Sequence, residues 1–301
     1  MRVLLRAFGA ALALVLALVL IPAPALATIQ NNALGATGDA LICSGHPWID
    51  VKCYGAAGDD TRDDTGAINS AIADALTVYG GAPIHFPAGT YKVIAKLTWD
   101  YAGIAANGLR VISEGAVIDG QSIASGNVLQ IKCSGGTPAS PAQCKNLLIK
   151  GTLLVNANTP AYAVDIGTSD FSDQHLGARI EHLVVMNYST NPAAGGIRVN
   201  FVGPDADLWL SGSTSGGAAS VAGVAIEKLQ VSKLSGYGAG AGASAAALLF
   251  ENDASIGNLI AGFGYNAASN TCLSITSTTA TRNTFLSPVF GCTTAINAPQ
   301  S

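Results

Sequence analysis

The sequence predicts an all-β protein, a parallel β-solenoid in which successive turns of the chain stack strand upon strand. From residue 125 onward a unit repeats that consists of a short apolar run, a variable polar loop and a second apolar run interrupted by two polar residues. The runs are β-branched and alternate with period two, as strands of four to six residues do. Asn-Gly and Asp-Gly dipeptides, typical of the turns in an antiparallel sandwich, are absent after residue 125.

The first 27 residues differ from the rest of the chain. They contain two arginines, an apolar run, two prolines and the ending Ala-Leu-Ala. This pattern predicts a secretory signal peptide over residues 1–27, with the alternative of a retained membrane helix disfavoured by the short apolar run. Residues 28–301 are then expected to form a single β-helix domain that is secreted or periplasmic, with no later membrane span.

Composition limits the partners of this domain. Only 11% of the residues are charged and the formal net charge is −4, so we expect no nucleic-acid-binding face. Six cysteines, an even number with none in the first 27 residues, are typical of an oxidising compartment. We therefore expect ligands that are neutral or weakly charged, or a protein whose charges are concentrated at one site.

Five repeat units and a final half-unit are visible. They run from "GNVLQIK" to "NLLIKGTLLVN", from "AYAVDIG" to "ARIEHLVVMN", from "GGIRVNF" to "GVAIEKLQVS", from "AALLFEN" to "ASIGNLIAG" and from "TCLSIT" to "TRNTFLSPVF", followed by "GCTTAIN". Stacking these units places strands about 4.8 Å apart. We expect about six coils.

The cysteines agree with the stacking. Cys272 and Cys292 occupy the same position in consecutive units, which predicts a disulfide between them. Cys133 and Cys144 would close a loop of the first unit, and Cys43 and Cys53 would hold the N-terminal arm. Other pairings stay open, because six cysteines allow 15 connectivities.

Four aspartates lie within six positions near the N-terminus: Asp59, Asp60, Asp63 and Asp64. The apolar residues that follow have helical spacing and precede two glycines, which predicts a helix from about Asp64 to Tyr79. Asp63 and Asp64 would favour its positive end, with the other two in the preceding turn. A calcium loop is the alternative, but the spacing does not match the Asp-x-Asp-x-Asp-Gly pattern.

Residues 51–93 resemble the N-terminal segment of the pectate lyase superfamily, which includes polygalacturonase-like and rhamnogalacturonase-like enzymes and phage tailspike proteins. "YGA" at 54–56, "GDDTRDDTGAI" at 58–68 and "FPAGTY" at 86–91 carry the resemblance. It implies a right-handed parallel β-helix with an N-terminal amphipathic helix that caps the open end. The cap would span about 48–93 and the coils about 94–301. The polygalacturonase motifs Asn-Thr-Asp, Gly-His-Gly and Arg-Ile-Lys are absent from the repeats.

Candidate catalytic residues follow from the repeat. If residues such as Leu129 and Ile131 face inward, the residues between them form an outward column that includes Asp165 and Arg198, with Glu251 in the neighbouring column. Asp165 and Glu251 are expected two coils apart, about 9 to 10 Å, which suits an inverting glycosidase with Arg198 binding a uronate carboxylate. Arg198 as a lyase base with Ca²⁺ held by the acids is a second possibility. A cross-strand ion pair between Asp165 and Arg198 is the non-catalytic alternative.

Candidate substrate-binding residues lie beside that column. Asn200 belongs to the neighbouring column, and two loops supply Asp170, Asp173, His175 and Trp209. Because both loops leave the same strand position on adjacent coils, they are expected to wall one groove, with Trp209 as a platform on which a sugar stacks.

The predicted function is therefore that of an exported polysaccharide-active protein that cleaves glycosidic bonds in an acidic polysaccharide, as a hydrolase or a lyase. No cofactor is expected, apart from Ca²⁺ in the lyase case. The alternative is a non-catalytic, tailspike-like β-helix that binds glycan. The sequence leaves a monomer and a homotrimer equally open.

Overall fold

The structure is a computed structural model. It describes residues 47–102, 108–214, 221–240, 245–251, 257–265, 271–276, 281–286, 289–292 and 294–298. The predicted signal peptide and Cys43 lie outside the described residues. No helix among those described combines the length and the apolar character needed to cross a membrane.

Strands make up most of the described chain, together with one α-helix, α1 (Thr65–Thr77), and one 3₁₀ helix, Val51–Tyr54. The strands are β1 (Ile49–Asp50), β2 (Asp59–Asp63), β3 (Ile84–Phe86), β4 (Thr90–Lys92), β5 (Leu97–Asp100), β6 (Arg110–Gly120), β7 (Leu129–Lys132), β8 (Ala142–Lys145), β9 (Leu148–Ala157), β10 (Tyr162–Ile166), β11 (Asp173–Leu176), β12 (Arg179–Asn187), β13 (Gly195–Val199), β14 (Asp207–Thr214), β15 (Ala222–Ile226), β16 (Lys233–Ala239), β17 (Ala246–Phe250), β18 (Leu259–Tyr265), β19 (Thr271–Ile275), β20 (Thr284–Leu286), β21 (Val289–Phe290) and β22 (Thr294–Asn297).

The strands form three parallel sheets. The long sheet is ordered β1-β3-β6-β9-β12-β14-β16-β18-β20, with β2, β4 and β21 pairing at its sides, and the short sheet is ordered β5-β7-β10-β13-β15-β17-β19-β22. The third sheet pairs β8 with β11 and is continued by single parallel bridges from His175 to Val202 and from Val202 to Leu229. Each complete coil therefore passes from the short sheet through the third side to the long sheet, and the predicted parallel β-helix is confirmed.

In β6 and β12 the polar step inside the second apolar run is a β-bulge. The pairing of β12 shifts between Ile180 and Leu183, and that of β6 with β9 shifts between Glu114 and Ala116. The pairing of β16 with β18 shifts just before Gly236, which has φ +135°; a Cβ there would lie 1.9 Å from the Leu210 carbonyl oxygen, which only glycine avoids. The two polar residues of the step therefore bend the long sheet without interrupting it.

The inward residues predicted from the repeat form the core. The side chains at nine of the ten positions are almost fully buried, and Ile275 packs partly buried against them. The ten are Leu129, Ile131, Val164, Ile166, Ile197, Val199, Leu248, Phe250, Leu273 and Ile275. Period-two alternation was therefore sufficient to identify the inward face of the short sheet.

The prediction for the third repeat unit was wrong. "GGIRVNF" and "GVAIE" belong to consecutive coils, as β13 and β15, and the long-sheet strand of the first of these coils is β14. The prediction had assigned β14 to a loop. Its outward residues include Trp209 and three short polar side chains, so its sequence resembles a loop although Leu208 and Leu210 are fully buried. The correction adds one coil between Arg198 and Glu251.

At the N-terminus the predicted cap helix is confirmed with shorter bounds. Ile68, Ala71, Ile72 and Ala75 form its buried stripe, and Gly81 donates a hydrogen bond to the Ala75 carbonyl as the chain leaves the helix. This spacing of three and four residues is that of one helical face.

The aspartates before the helix have structural partners. Asp59 to Asp63 form strand β2, a correction of the predicted turn. The Asp63 carboxylate accepts the backbone N–H of Thr65, and Asp64 accepts the N–H groups of Ala57 and Gly58 at 2.7 and 3.0 Å. Asp64 is the residue that precedes the helix, but its carboxylate binds the loop at 57–58 and makes no capping hydrogen bond to the helix, which corrects the predicted role at the helix start.

Two of the predicted disulfides are confirmed. Cys133 pairs with Cys144 and Cys272 with Cys292, at Cα–Cα distances of 6.0 and 5.4 Å. Both distances lie in the usual range for disulfides. The pairing of Cys53 with Cys43 stays a prediction, because Cys43 lies outside the described residues.

Candidate functional site

A polar column lies on the outward face of the short sheet. The strand register aligns Asp165 with Gln130 on one side and with Arg198 on the other, and Arg198 aligns with Ala225 of the added coil. The column continues through Leu249 to Ser274. The predicted outward column is therefore present, with one more coil in it than expected.

Asp165 and Arg198 form a bidentate ion pair. Arg198 Nε donates to Asp165 Oδ1 and Arg198 Nη2 to Asp165 Oδ2, both at 2.9 Å, and Asn127 Nδ2 also donates to Oδ2. The Asp165 side chain is only 6% exposed and that of Arg198 27%. Burial raises the pKa of the Asp165 carboxyl, although Arg198 and Asn127 both favour the carboxylate. The ion pair that was the non-catalytic alternative is therefore present, and it is buried.

The ion pair also keeps Arg198 protonated. Burial lowers the pKa of its guanidinium, but the hydrogen bonds and charge of Asp165 outweigh burial and raise it above the ordinary value. The guanidinium also lies over the Tyr162 ring, 5.0 Å from its centroid. A lyase mechanism that uses Arg198 as the base therefore has no support in this geometry.

A second carboxyl group lies beside Glu251. The backbone N–H groups of Asn200, Glu227 and Glu251 donate to carbonyls of Ile166, Val199 and Ile226, so these three residues leave their strands at the same place on successive coils. Glu227 is therefore the immediate neighbour of Glu251. The sequence contains a signal for it that the prediction missed, since "AGVAIE" and "AALLFE" both end a short-sheet strand with glutamate.

The neighbouring carboxyl group changes the acidity of Glu251. Burial, the hydrogen bond to Glu227 and the charge of Glu227 together raise the pKa of Glu251 from 4.5 to about 7, and Arg198 partly opposes the rise. Two neighbouring carboxyl groups resist losing both protons because the second negative charge is repelled by the first. Near neutral pH Glu251 therefore exchanges its proton readily. We name Asp165, Arg198, Glu227 and Glu251 the polar row.

The predicted distance between Asp165 and Glu251 was wrong. Asp165 lies in β10, and Glu251 directly follows β17. Strands β13 and β15 lie between β10 and β17, so the two residues are three coils apart instead of two. Three coils correspond to about 14 Å. This is longer than the roughly 6.5 to 9.5 Å between the carboxyl groups of an inverting glycosidase.

Of the predicted substrate-binding residues, three are buried. Asp173 and His175 lie in β11 with no exposed surface, and Asn200 is 1% exposed. Asp173 accepts the N–H groups of Cys133 and Thr168 at 2.8 and 2.7 Å, His175 Nδ1 bonds to the Tyr101 hydroxyl, and Asn200 donates to the Gly167 carbonyl. These side chains hold the third side of the coil together. They do not line a groove, because all three side chains are buried.

The other two predicted binding residues lie apart. Asp170 is exposed in the loop after β10, where it accepts the N–H of Ser172. Trp209 is in β14 of the long sheet, on a different sheet from the polar row. The predicted single groove of two loops with Trp209 is therefore not formed. Within the described ranges no group of three His, Cys, Asp or Glu side chains could hold a metal ion.

The Glu227–Glu251 pair predicts a pH dependence of stability. Folded protein holds a proton on Glu251 up to about pH 7, whereas the unfolded chain loses it near pH 4.5. The stabilisation is complete below pH 4.5 and is lost as the pH rises through 7. We expect the free energy of unfolding, measured by urea titration, to fall over this interval by about 1 to 2 kcal/mol, a value that allows for partial solvent exposure of Glu251. The fall should be absent in Glu251→Gln, and an equal fall in this variant would contradict the assignment.

Known proteins resemble this chain over part of its length. A mannuronan C5-epimerase of Azotobacter vinelandii is 29% identical over 188 residues, which are 62% of this chain and 26% of the epimerase. The plasmin and fibronectin-binding protein A of Streptococcus pneumoniae is 31% identical over 105 residues, 30% of this chain and 15% of that protein. The chain thus spans about a quarter or less of these two relatives.

The chain is also similar to a solved structure and to one protein family. The structure of the A-module of the Azotobacter vinelandii mannuronan C-5 epimerase matches with a TM-score of 0.26 and 14% identity, over 84% of this chain and 99% of that module. The sequence profile of the family "Rhamnogalacturonase A/epimerase, pectate lyase-like" matches residues 48–244, which include the cap, the polar row up to Glu227 and all strands from β1 to β16. The chain belongs to this pectate lyase-like family of rhamnogalacturonases and epimerases.

Proposed function

We propose that the protein acts on an acidic polysaccharide at the polar row, where Glu251 and Glu227 transfer a proton at one carbon of a uronic acid residue. The observation that carries the proposal is the placement of Glu227 and Glu251 at the same point of two directly stacked strands, with the charge of Arg198 acting on Glu251. Such a pair supplies a proton donor and a proton acceptor at neutral pH, as general acid–base catalysis requires. The similarity to the Azotobacter vinelandii mannuronan C5-epimerase supports a substrate of this class.

The spacing of the pair favours elimination or epimerisation over hydrolysis. A glycosidase places its two carboxyl groups about 5 Å apart or more, on either side of the scissile bond. Glu227 and Glu251 follow directly stacked strands, which lie about 4.8 Å apart, and this leaves no room for a sugar between them. Proton removal beside a sugar carboxylate needs only one base, one acid and a positive charge that stabilises the developing negative charge.

Arg198 is the group that supplies this positive charge. Its side chain remains 27% exposed while Asp165 holds two of its nitrogens, and its charge lowers the pKa of Glu251. Arginine is suited to planar carboxylates because its donors lie in one fork. Asp165 acts in this proposal as a positioning residue, because it is too buried to contact the sugar.

A panel of polysaccharides tests the proposal. The protein is incubated with polymannuronate, polygalacturonate, rhamnogalacturonan and a neutral glucan in heavy water. We expect deuterium to enter the uronate ring of an acidic polymer, with unsaturated chain ends if the reaction continues to elimination. Reducing ends without deuterium or unsaturation would contradict proton transfer at carbon. No reaction with any acidic polymer would favour the second candidate.

The second candidate is a non-catalytic module that binds glycan. It is favoured by a small apolar cluster on the outward face of the short sheet, where Tyr162, Ala225 and Leu249 are at least 93% buried. Side chains covered in this way do not border an open catalytic cleft at those coils. One relative is named for binding rather than for catalysis, the plasmin and fibronectin-binding protein A.

Both candidate functions require that the protein is exported. The two disulfides between described residues fit an exported protein, because thiols are kept reduced in most cytosols. We propose a secreted or periplasmic location on this basis and on the predicted signal peptide.

A further inference from the structure

A separate cleft lies on the outward face of the long sheet, around Trp209. Its volume is about 520 Å³, and its lining includes Trp209, His182, Arg179, Asp207, Lys233 and Ser235. This volume falls in the range of about 300 to 1,000 Å³ that is typical of sites for small ligands. We name it the Trp209 cleft. The function proposed for the polar row does not use it, because the two lie on different sheets.

The bulge in β12 builds one wall of the cleft. Ile180 pairs with Leu208 and Leu183 with Leu210, so two residues of β12 face the single residue Trp209 of β14. One of the two is His182, whose ring lies edge-on to the indole with ring centroids 4.5 Å apart. Such a contact restrains the indole from one side. Bulges of this kind redirect side chains and are frequent beside functional sites.

Small residues follow Trp209 on its other side. Ser235 of β16 pairs with Trp209. In the next strand, β18, Ala261 and Gly262 lie opposite Ser235, between the residues that pair with Leu234 and Gly236. Trp209 itself is partly exposed. The indole is thus restrained by His182 on one neighbouring coil. On its other side, the small residues of the next two coils leave open space beside it.

Charged side chains of both signs border the aromatic surface. Lys233 Nζ lies 3.5 Å from Asp207 Oδ1, with 48% and 50% of these side chains exposed, and Arg179 lies beside them. Exposed charges at this distance are loosely held and can rearrange to bond a ligand. An aromatic surface with donors and acceptors around it matches a pyranose ring, which has apolar C–H faces and a rim of hydroxyl groups.

We propose that the Trp209 cleft binds one or two sugar rings of a polysaccharide chain, as a binding site separate from the polar row. The proposal rests on the proposed function for the ligand class. The sugar would stack on the indole of Trp209, with its hydroxyl groups bonded to Asp207 and Lys233. A second site of this kind would keep the polymer on the protein between reaction events at the polar row.

Affinity electrophoresis tests the cleft without requiring turnover. The full chain is run in native gels that contain polymannuronate, polygalacturonate or a neutral glucan. We expect at least one polymer to retard the protein and Trp209→Ala to weaken that binding by at least about 10-fold, the effect of removing one aromatic anchor. Ser235→Tyr keeps Trp209 but fills the space beside it, and it should weaken binding similarly. Circular dichroism checks that both variants are folded.

The control is Tyr237→Ala in β16, the strand that also contains Ser235. It removes an aromatic side chain that is 37% exposed and lies outside the cleft. It should bind as the original protein does. Unchanged retardation of both cleft variants, or no retardation of the original protein by any polymer, would overturn the proposal. Glu251→Gln should retain the Trp209-dependent retardation. Turnover without retardation would therefore reject the cleft alone, and retardation without turnover would reject the polar row alone.

Discussion

Replacing Glu251 by Gln is expected to lower kcat by about 100-fold or more on any polysaccharide that the protein turns over, because a positioned acid or base typically contributes this much. Gln keeps the size and the hydrogen-bonding capacity of the side chain but cannot exchange a proton. KM should change much less than kcat, since Arg198 remains in place to bind the sugar carboxylate. Steady-state kinetics on the polymer identified by the panel measure both constants.

Glu227→Gln gives a more specific outcome. Removing the neighbouring carboxyl removes a hydrogen bond and a charge that raise the pKa of Glu251, so this pKa should move from about 7 towards its ordinary value of 4.5. The group would then lose its proton at lower pH, and the alkaline limb of the pH–rate profile should shift to lower pH. Asp60→Asn, at an exposed position of the cap with φ +62°, is the matched control and should leave the profile unchanged. An unshifted profile in Glu227→Gln would contradict coupled proton transfer.

Replacing Arg198 by Met should lower the free energy of unfolding by about 3 kcal/mol, the lower part of the range for breaking a buried ion pair. The cause is the Asp165 carboxylate, 5% exposed as a residue, which would lose its two hydrogen bonds from the guanidinium. Protonation of Asp165 relieves the uncompensated charge. The loss should therefore be larger at pH 8 than at pH 5. Urea unfolding at the two pH values measures it.

The matched control is Lys233→Met, at an ion pair that is half-exposed on both sides. This change should cost less than about 1 kcal/mol, because water already screens the pair. Adding Asp165→Asn to Arg198→Met should recover part of the loss, since the unpaired charge is then absent. If Arg198→Met and Lys233→Met destabilised the protein equally, the Asp165–Arg198 pair would contribute no more to the free energy of unfolding than an exposed ion pair.

Much of the fold was predictable because its determinants are local. Alternation with period two identified Leu129, Val164 and Ile197 as inward residues, and each is fully buried. The position of Cys272 and Cys292 within consecutive units predicted their disulfide. Stacking repeats the same local pattern at every coil, so a residue's place within its unit determines the face on which it lies.

The errors arose where local pattern and burial disagree. Asp173 and His175 lie in a polar loop of the sequence, yet both are fully buried in β11, where Asp173 accepts backbone N–H groups and His175 Nδ1 bonds to the Tyr101 hydroxyl. The partners Cys133 and Tyr101 are 40 and 74 residues away along the chain. A sequence pattern cannot show partners that only the stacking of coils brings together.

The sequence by itself determined the stacked architecture, the cap helix, the inward face and the outward column with Asp165 and Arg198. The tertiary structure decided how many coils separate the residues of that column. Since the polar outward side of β14 resembles a loop, only its hydrogen bonds to β12 and β16 establish it as a strand. That additional coil places Glu227 next to Glu251 and moves Asp165 away, because neighbours in a solenoid are set by coil order and not by separation along the chain.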